Sequence, residues 1–317
     1  MIAGTRPRTA TASPLPRSWR LQCGQASPRR SPGCGSSASR RRPVGEESVL
    51  STCSSAACST RWAAFRLALV ITFPKVSTVS QVTAMVAVCD ELERAYGLET
   101  GRLGFEIQVE TPQLIIGPQG GISVAEAIHA GAGRVTALHY GTYDYSASLQ
   151  ISAEYQASDH PAADFAKQVM QVAAAGTRVH LSDGSTNILP LGSPESVRSA
   201  WRLHAGLVRR ALARGFYQGW DMHPHQLPTR YIATFEFYRA GLPRAAARLA
   251  NYMSKTESEI LDEPATARAL ARYLYRGLVC GAVSETELSR SAGLTGSQLA
   301  ALGRPRSDTE GVALGSS

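Results

Sequence analysis

The sequence lacks several features that would place it in a functional class. Its 317 residues contain no run of 18 apolar residues, so no segment is long enough to span a membrane as a helix. No alternating strand pattern recurs at short intervals, which excludes an all-β sandwich or barrel. No G-x-G-x-x-G follows a predicted strand, and no G-x-x-x-x-G-K-[ST] occurs. We therefore expect no membrane partner and no nucleotide site of these two kinds.

Acidic residues are missing from the start of the chain. Residues 1–66 contain eleven arginines against two acids, Glu46 and Glu47, which gives a net charge of +9. The remaining residues contain 22 basic and 23 acidic side chains, a net charge of −1. A nucleic-acid-binding domain clusters its basic residues on the folded part, so nucleic acid is not an indicated partner.

The composition of residues 1–66 also predicts their state. They are dense in Arg, Ser, Pro and Gly and show no helical or strand period. Such a segment cannot bury enough apolar surface to offset the entropy of ordering, so we expect it to be disordered. We interpret it as having no role in the fold, with a transit peptide and a basic tail as the alternatives.

Paired metal-binding cysteines are missing as well. Four of the six cysteines lie in residues 1–66, at spacings that give no C-x-x-C pair, and no histidine cluster accompanies them. This excludes the common zinc sites. The other two, Cys89 and Cys280, are single thiols in helical patterns, which indicates a reducing compartment. We therefore expect a cytoplasmic protein.

From residue 67 onward, strand and helix patterns alternate. Five apolar strand patterns occur, over residues 67–73, 104–110, 135–139, 178–181 and 216–223, and each is followed by a helical stripe. About 35 residues per unit is enough for parallel βαβ crossovers. Polar residues gather at the carboxyl ends of the strands, where barrel enzymes place their sites. The predicted fold is α/β, of the (β/α)8 TIM-barrel type, incomplete, with about five βα units recognisable.

The end of the chain has a different pattern. Residues 242–317 are predicted to form a small helical tail, separate from the barrel portion at 67–241. One helix is expected over 265–279, and capping boxes at 284–287 and 295–298 each open a short helix. We interpret the tail as an appendage for packing or oligomerisation, with a helix-turn-helix as the weaker alternative.

Two acids mark the carboxyl ends of neighbouring strands. Glu110 ends the second strand pattern, and Asp144 follows the third after the turn Gly141-Thr142-Tyr143. Acids at the same end of adjacent parallel strands can face one volume, and hard oxygen ligands of this kind suit Mg²⁺. From the spacing alone, a helix cap or a salt bridge for each acid is an equally acceptable interpretation.

Five segments, in the same order along the chain, resemble the HpcH/HpaI aldolase and citrate lyase family. Residues 107–112, Ile-Gln-Val-Glu-Thr-Pro, are similar to the family's I-E-T strand end. Residues 139–149 resemble its F-G-x-x-D-L-x-x-x-L segment, and residues 215–226 its G-x-x-G-K-x-x-I-H-P-x-Q segment. Residues 73–76 match a P-K strand end, and residues 182–184 stand where the family has D-G.

The resemblance implies a (β/α)8 barrel of the pyruvate/phosphoenolpyruvate-like superfamily that holds Mg²⁺ or Mn²⁺. The family's metal ligands carry over to Glu110 and Asp144. Gly141 and Thr142 would lie beside a bound carboxylate, and Asp183 is a further candidate for substrate binding. The implied function is a carbon–carbon lyase or aldolase that acts on a 2-oxo acid or an acyl-CoA-type carboxylic substrate through a metal-stabilised enolate. We also expect a homo-oligomer.

The sequence departs from the family pattern at several points. Trp220 replaces the family's Lys, and Tyr145 replaces the Leu that follows the metal-binding Asp. About three βα units have no counterpart, and neither does the family's substrate-binding Arg, because Arg61 and Arg66 lie in no recognisable motif. A second hypothesis is therefore a catalytically impaired remnant that lacks the N-terminal strands and this Arg.

Overall fold

A computed structural model of the chain describes residues 70–254 and 263–304. The expected disorder of residues 1–66 lies outside the described residues. The chain divides into two units, residues 1–71 and 72–317. The second unit contains every residue of the candidate site.

Strands and helices alternate over the first part of the described chain, as the sequence predicts. The strands are β1 (Val70–Phe73), β2 (Gly104–Val109), β3 (Val135–Tyr140), β4 (His180–Asp183) and β5 (Gln218–Gly219). The helices among them are α1 (Val79–Tyr96), α2 (Pro112–Ile115), α3 (Ser123–Ala130), α4 (Thr142–Ser148), α5 (Pro161–Ala174) and α6 (Pro194–Ala213). Four helices follow: α7 (Leu227–Ser254), α8 (Pro264–Val279), α9 (Glu285–Ala292) and α10 (Gly296–Leu302).

The five strands lie in one sheet, in the order β1-β2-β3-β4-β5. The pairs β2–β3, β3–β4 and β4–β5 are parallel. A doubly wound sheet reverses its strand order at a switch point, whereas in a (β/α)8 barrel consecutive strands are neighbours around the axis. The strictly sequential order therefore confirms the predicted α/β fold of barrel type, with five strands in the part of the chain that is described.

The two faces of the sheet differ in chemistry. In β2, Phe105, Ile107 and Val109 are fully buried, and the residues between them face the other side and are partly exposed. Tyr140 of β3 is in register with Val109, and its ring lies 5.5 Å from that of Tyr145 in α4. The apolar face is therefore the one that the helices cover, and the opposite face corresponds to the inside of a barrel.

The last predicted strand is much shorter than the pattern over residues 216–223 indicates. The strand ends at Gly219, and the buried side chain of Gln226 binds the backbone at the end of the predicted segment. Gln226 Oε1 accepts the N–H groups of Met222 and His223 at 2.8 and 3.2 Å, and its Nε2 donates to the carbonyl of Thr186. Strand β4 also begins at His180, two residues later than the pattern predicts.

The predicted helical tail is present and packs on α7. The two capping boxes are confirmed, since the hydroxyls of Ser284 and Thr295 accept N–H groups three residues on, from Glu287 and Gln298. A core of buried Ala, Leu, Val and Tyr side chains joins α7 to α8, α9 and α10. Helix α7 runs for 28 residues through the position of the boundary predicted at 241/242. The domain division remains a prediction.

None of the helices in residues 70–254 and 263–304 has the length and apolar character that crossing a membrane requires.

Candidate functional site

Three charged side chains meet at the carboxyl edge of the sheet. Lys75 follows β1, Glu110 directly follows β2, and Asp144 lies in the first turn of α4 after β3. Parallel strands end at one edge, so residues that follow neighbouring strands come together. The Glu110 side chain is 2% exposed, whereas those of Lys75 and Asp144 are 59% and 54% exposed. The site thus has a buried carboxylate at its base and two charged groups at its mouth.

Lys75 contacts both acids. Its backbone N–H donates to Glu110 Oε1 at 2.6 Å. Its ammonium lies 2.5 Å from Asp144 Oδ1 and 4.0 Å from Glu110 Oε2. The sequence-predicted pair of Glu110 and Asp144 is therefore brought to a single cation, which is the arrangement expected of two acids that share one volume.

The electrostatics of the two acids differ because their surroundings differ. Burial raises the pKa of Glu110 to about 7, against the opposing hydrogen bond from the Lys75 backbone. The Lys75 ammonium holds the pKa of Asp144 below its ordinary value, since it bonds directly to that carboxylate. A cation in this volume stabilises the charged form of both acids.

The backbone at Lys75 adopts an uncommon conformation. Its φ of 56° lies in the left-handed region, which residues with a Cβ visit rarely. The conformation directs both the N–H and the side chain of Lys75 toward the acids after β2 and β3. Strain of this kind concentrates at functional sites.

Glycine is required at position 141 because the side chain of Glu110 lies very close to its backbone. A Cβ built at this position would lie 2.6 Å from the Cβ of Glu110 and 3.2 Å from its Oε2. Its φ of −98° is open to any residue, so space and not conformation demands glycine. The N–H of Gly141 donates to the carbonyl of Val109 at 2.9 Å and is not free for a ligand.

The other two predicted substrate residues are engaged in structural contacts. Thr142 is buried, and its hydroxyl donates to the carbonyl of Ser185 at 3.3 Å. Asp183 is buried, and its Oδ1 accepts from Lys167 Nζ at 2.9 Å and from the Gly184 N–H at 2.7 Å. Since Lys167 belongs to α5, Asp183 points toward the helix layer. A substrate role for either residue remains a prediction without a supporting contact.

Sequence reasoning missed Gln108 as a site residue. Its Nε2 donates to Glu110 Oε2 at 2.9 Å, so it orients that carboxylate. The alternation along β2 was the available signal, because residues two apart on a strand share a face. Lys75 was visible as a strand-end residue, but its contacts with the two acids were not predicted.

The inner face of the sheet below the site is polar. Strand register aligns Gln108, His139, Ser182 and Gln218 in one row across β2 to β5. One layer further down, Glu106 lies 2.5 Å from His139 Nε2. Barrels usually fill this face with branched apolar side chains. A polar interior is instead suited to a bound polar ligand and its water.

A metal here would have few protein ligands. Within residues 70–254 and 263–304, no group of three or more His, Cys, Asp or Glu side chains is placed to hold a metal ion. No arginine in that part of the chain pairs with Glu110 or Asp144, whose cationic partner is Lys75. A metal would therefore rely on two carboxylates and on oxygens from water or substrate, as Mg²⁺ commonly does.

Comparison of the sequence with family models identifies the family. A model described as a domain of unknown function, DUF6986, matches residues 61–307. The chain belongs to this family. No curated protein matches the sequence.

Comparison with solved structures identifies the fold. The chain is similar to a citrate lyase from Burkholderia xenovorans LB400, with a TM-score of 0.54 and 20% identity, covering 69% of this chain and 66% of that one. This DUF6986 chain thus spans just under two thirds of the length of that protein. At 20% identity the similarity shows a shared fold and no more.

Weaker similarities extend to two other proteins. The CitE protein of Mycobacterium tuberculosis, in complex with magnesium, acetoacetate and coenzyme A, has a TM-score of 0.44 and 16% identity, over 69% of this chain and 74% of that one. Malate synthase from Haloferax volcanii, as a lead(II) complex, has a TM-score of 0.38 and 14% identity, over 73% and 68%. These scores are too low to support an argument about this chain.

Proposed function

We propose that the chain is a Mg²⁺-dependent carbon–carbon lyase or aldolase of the HpcH/HpaI type. Its substrate would be a 2-oxo acid or an acyl-CoA-type carboxylic acid, and Mn²⁺ would serve as an alternative metal. The observation that carries the proposal is the convergence of Glu110 and Asp144 on one cation at the carboxyl edge of a barrel-type sheet. The fold shared with the Burkholderia citrate lyase and the five sequence motifs support it.

The chemistry of the donor set fits Mg²⁺. Glu110 and Asp144 offer hard oxygen atoms to one volume, and the position of the Lys75 ammonium indicates that this volume favours a positive charge. Mg²⁺ needs only one or two carboxylates and completes its shell with water and substrate oxygens. When bound, it would supply the positive charge that stabilises negative charge developing on a substrate oxygen.

The chain's own residues prepare the site. Gln108 Nε2 and the Lys75 N–H each bind one oxygen of Glu110, so its carboxylate has a fixed orientation. Gly141 leaves room for that carboxylate beside β3. The hydroxyl of Tyr143 accepts the N–H of Asn187 at 2.6 Å, which joins α4 to the loop after β4. These contacts reduce the reorganisation needed when a ligand binds.

Metal-dependent thermal stability tests the proposal. Mg²⁺ or Mn²⁺ at a hundredfold excess over its Kd should raise the melting temperature of the wild type by about 5–10 °C. Glu110→Gln and Asp144→Asn should each abolish the increase, whereas Glu154→Gln, an exposed acid outside the site, should retain it. No increase in the wild type would overturn the metal-dependent function.

The same proteins separate an active enzyme from an impaired remnant. Oxaloacetate-like acids and short acyl-CoA thioesters should be cleaved by the wild type with metal and not by Asp144→Asn. If metal raises the melting temperature but neither class of substrate is cleaved, the chain is better described as a catalytically impaired remnant. A cytoplasmic location and a homo-oligomeric state remain predictions from the sequence.

A further inference from the structure

Lys75 makes two contacts of different kinds with the acids of the site. Its backbone N–H is held by Glu110 Oε1, and its side chain extends between Asp144 and Glu110. Two charged carboxylates that face one volume repel each other, and a cation between them stabilises the charged form of both. In the described part of the chain, the ion pairs to these two acids come from the Lys75 ammonium.

We infer that Lys75 is the exchangeable counter-ion of this site: its ammonium pairs with Asp144 beside Glu110 in the metal-free protein, and Mg²⁺ displaces it. The inference rests on the proposed metal-dependent function. It adds a residue of this chain that competes with the metal, so that metal affinity is set by a side chain that is not a ligand.

Ammonium and metal exclude each other at this position. Mg²⁺ binds carboxylate oxygens at about 2.0–2.1 Å. The ammonium lies 2.5 Å from Asp144 Oδ1 and 4.0 Å from Glu110 Oε2, and thus occupies the approach to both acids. Two cations bound to the same carboxylates would lie close together and repel each other.

The exposure of the Lys75 side chain makes the exchange feasible. The Lys75 side chain is 59% exposed, so its flexible stem can swing the ammonium into water. The backbone N–H of Lys75 can remain on Glu110 Oε1 while the side chain leaves. The carboxylate therefore keeps its orientation in both states, and only the charge beside it changes.

Metal affinity tests the exchange directly. Lys75→Met removes the charge and keeps the length of the side chain, whereas Lys75→Arg keeps the charge. If the ammonium occupies the site in about nine-tenths of metal-free molecules, Lys75→Met should bind Mg²⁺ about tenfold more tightly than the wild type by titration calorimetry. Lys75→Arg should remain within about threefold of the wild type.

Because the chain has few lysines, the signal of the Lys75 ammonium can be followed by NMR as a second test. The sequence contains three lysines, Lys75, Lys167 and Lys255. In protein labelled with ¹⁵Nζ-lysine, the Lys75 signal is assigned by its loss in Lys75→Met. Saturating Mg²⁺ should move it toward the position of a free, solvated ammonium. Lys167 is buried against Asp183 and should not move, so it is an internal control.

The outcomes separate this inference from the proposed function. An unchanged Lys75 signal at saturating Mg²⁺, or a Lys75→Met variant that binds Mg²⁺ more weakly than the wild type, would overturn the exchange alone. Absence of Mg²⁺ binding in both the wild type and Lys75→Met would overturn both. Binding in Lys75→Met only would show that the ammonium blocks the metal and is not displaced by it, which would overturn both the exchange and the metal-dependent function of the wild type.

Discussion

Arg134 and Glu93 form a buried, two-point ion pair at the amino-terminal end of the sheet. Arg134 directly precedes β3 and Glu93 lies in α1, and the two guanidinium nitrogens donate to the carboxylate at 2.6 and 2.7 Å. The residues are 6% and 2% exposed. The carboxylate also accepts the N–H groups of Leu103 and Gly101, just before β2. The pair therefore joins α1 to two strands at the edge opposite the candidate site.

Removing the charge of Glu93 should destabilise the fold. In Glu93→Gln, Arg134 remains buried and loses its buried ion pair, keeping the half-exposed Asp90 and the carbonyl of Leu103 as partners. The free energy of unfolding should fall by about 3 kcal/mol in urea titrations. Glu91→Gln, two residues before Glu93 in the same helix and exposed, should change it by less than about 1 kcal/mol. Equal stability of the two variants would contradict a structural role for the pair.

The Glu93–Arg134 pair also predicts that the unfolding free energy depends on pH. The Arg134 guanidinium and the backbone donors lower the pKa of Glu93 to about 2, from an ordinary value near 4.5. A lowered carboxyl pKa contributes stability above the unfolded-state pKa and loses it as pH falls toward the folded-state pKa. Unfolding free energy should therefore decline between about pH 4.5 and pH 2 in the wild type. The decline should be smaller in Glu93→Gln, and parallel pH profiles would exclude Glu93 as its source.

The sequence alone predicted the parts of the site that depend on local pattern. Glu110 and Asp144 follow adjacent strands, one βα unit apart, and parallel pairing then places both at one edge. Capping boxes and apolar stripes predicted α9 and α10 because helix ends and faces depend on neighbouring residues. Repeated βα units fitted a doubly wound sheet or a barrel, and the barrel type followed from the lack of a G-x-G-x-x-G and from polar residues at the carboxyl ends of the strands.

The remaining features depend on contacts between residues distant in the chain. Met222 and His223 lie outside β5 and donate their N–H groups to Gln226, a contact that periodicity does not reveal. Asp183 faces the helix layer because Lys167 of α5 meets it there. The contacts of Lys75 depend on a left-handed φ that no local signal in the sequence marks.

Lys167 should be structurally essential. Its ammonium is buried and donates to Asp183 Oδ1 at 2.9 Å and to the carbonyl of Ser158 at 2.7 Å. Lys167→Met leaves the Asp183 carboxylate buried and unpaired, which should cost about 3–5 kcal/mol of unfolding free energy. Adding Asp183→Asn should restore at least half of that loss, because the unpaired charge is removed. A double variant no more stable than Lys167→Met would argue against the pair.

The single variant Asp183→Asn also tests the predicted substrate role. The structural contacts of Asp183 lie on the helix-covered side of the sheet, whereas Glu110 and Asp144 converge with Lys75. We expect Asp183→Asn to keep the Mg²⁺-dependent increase in melting temperature that Asp144→Asn loses. Loss of turnover with full metal stabilisation would instead support the sequence-based prediction that Asp183 contacts substrate.

Gly141 should be intolerant of any side chain, and the reason is the proximity of Glu110. Gly141→Ala places a methyl group 2.6 Å from Glu110 Cβ, so the carboxylate or the β3–α4 backbone must shift. Unfolding free energy should fall by about 1–3 kcal/mol, and the Mg²⁺-dependent increase in melting temperature should be lost.

Gly206→Ala provides the matched control for the Gly141 variant. Gly206 lies in α6, where an added Cβ meets no atom within 4 Å. The substitution should raise the unfolding free energy by about 0.5–1 kcal/mol, because alanine favours the helix, and leave metal stabilisation unchanged. If Gly141→Ala also kept the full Mg²⁺ response, the close approach to Glu110 would not govern the site. Loss of the response in Gly141→Ala alone would show that the position of the Glu110 carboxylate controls metal binding.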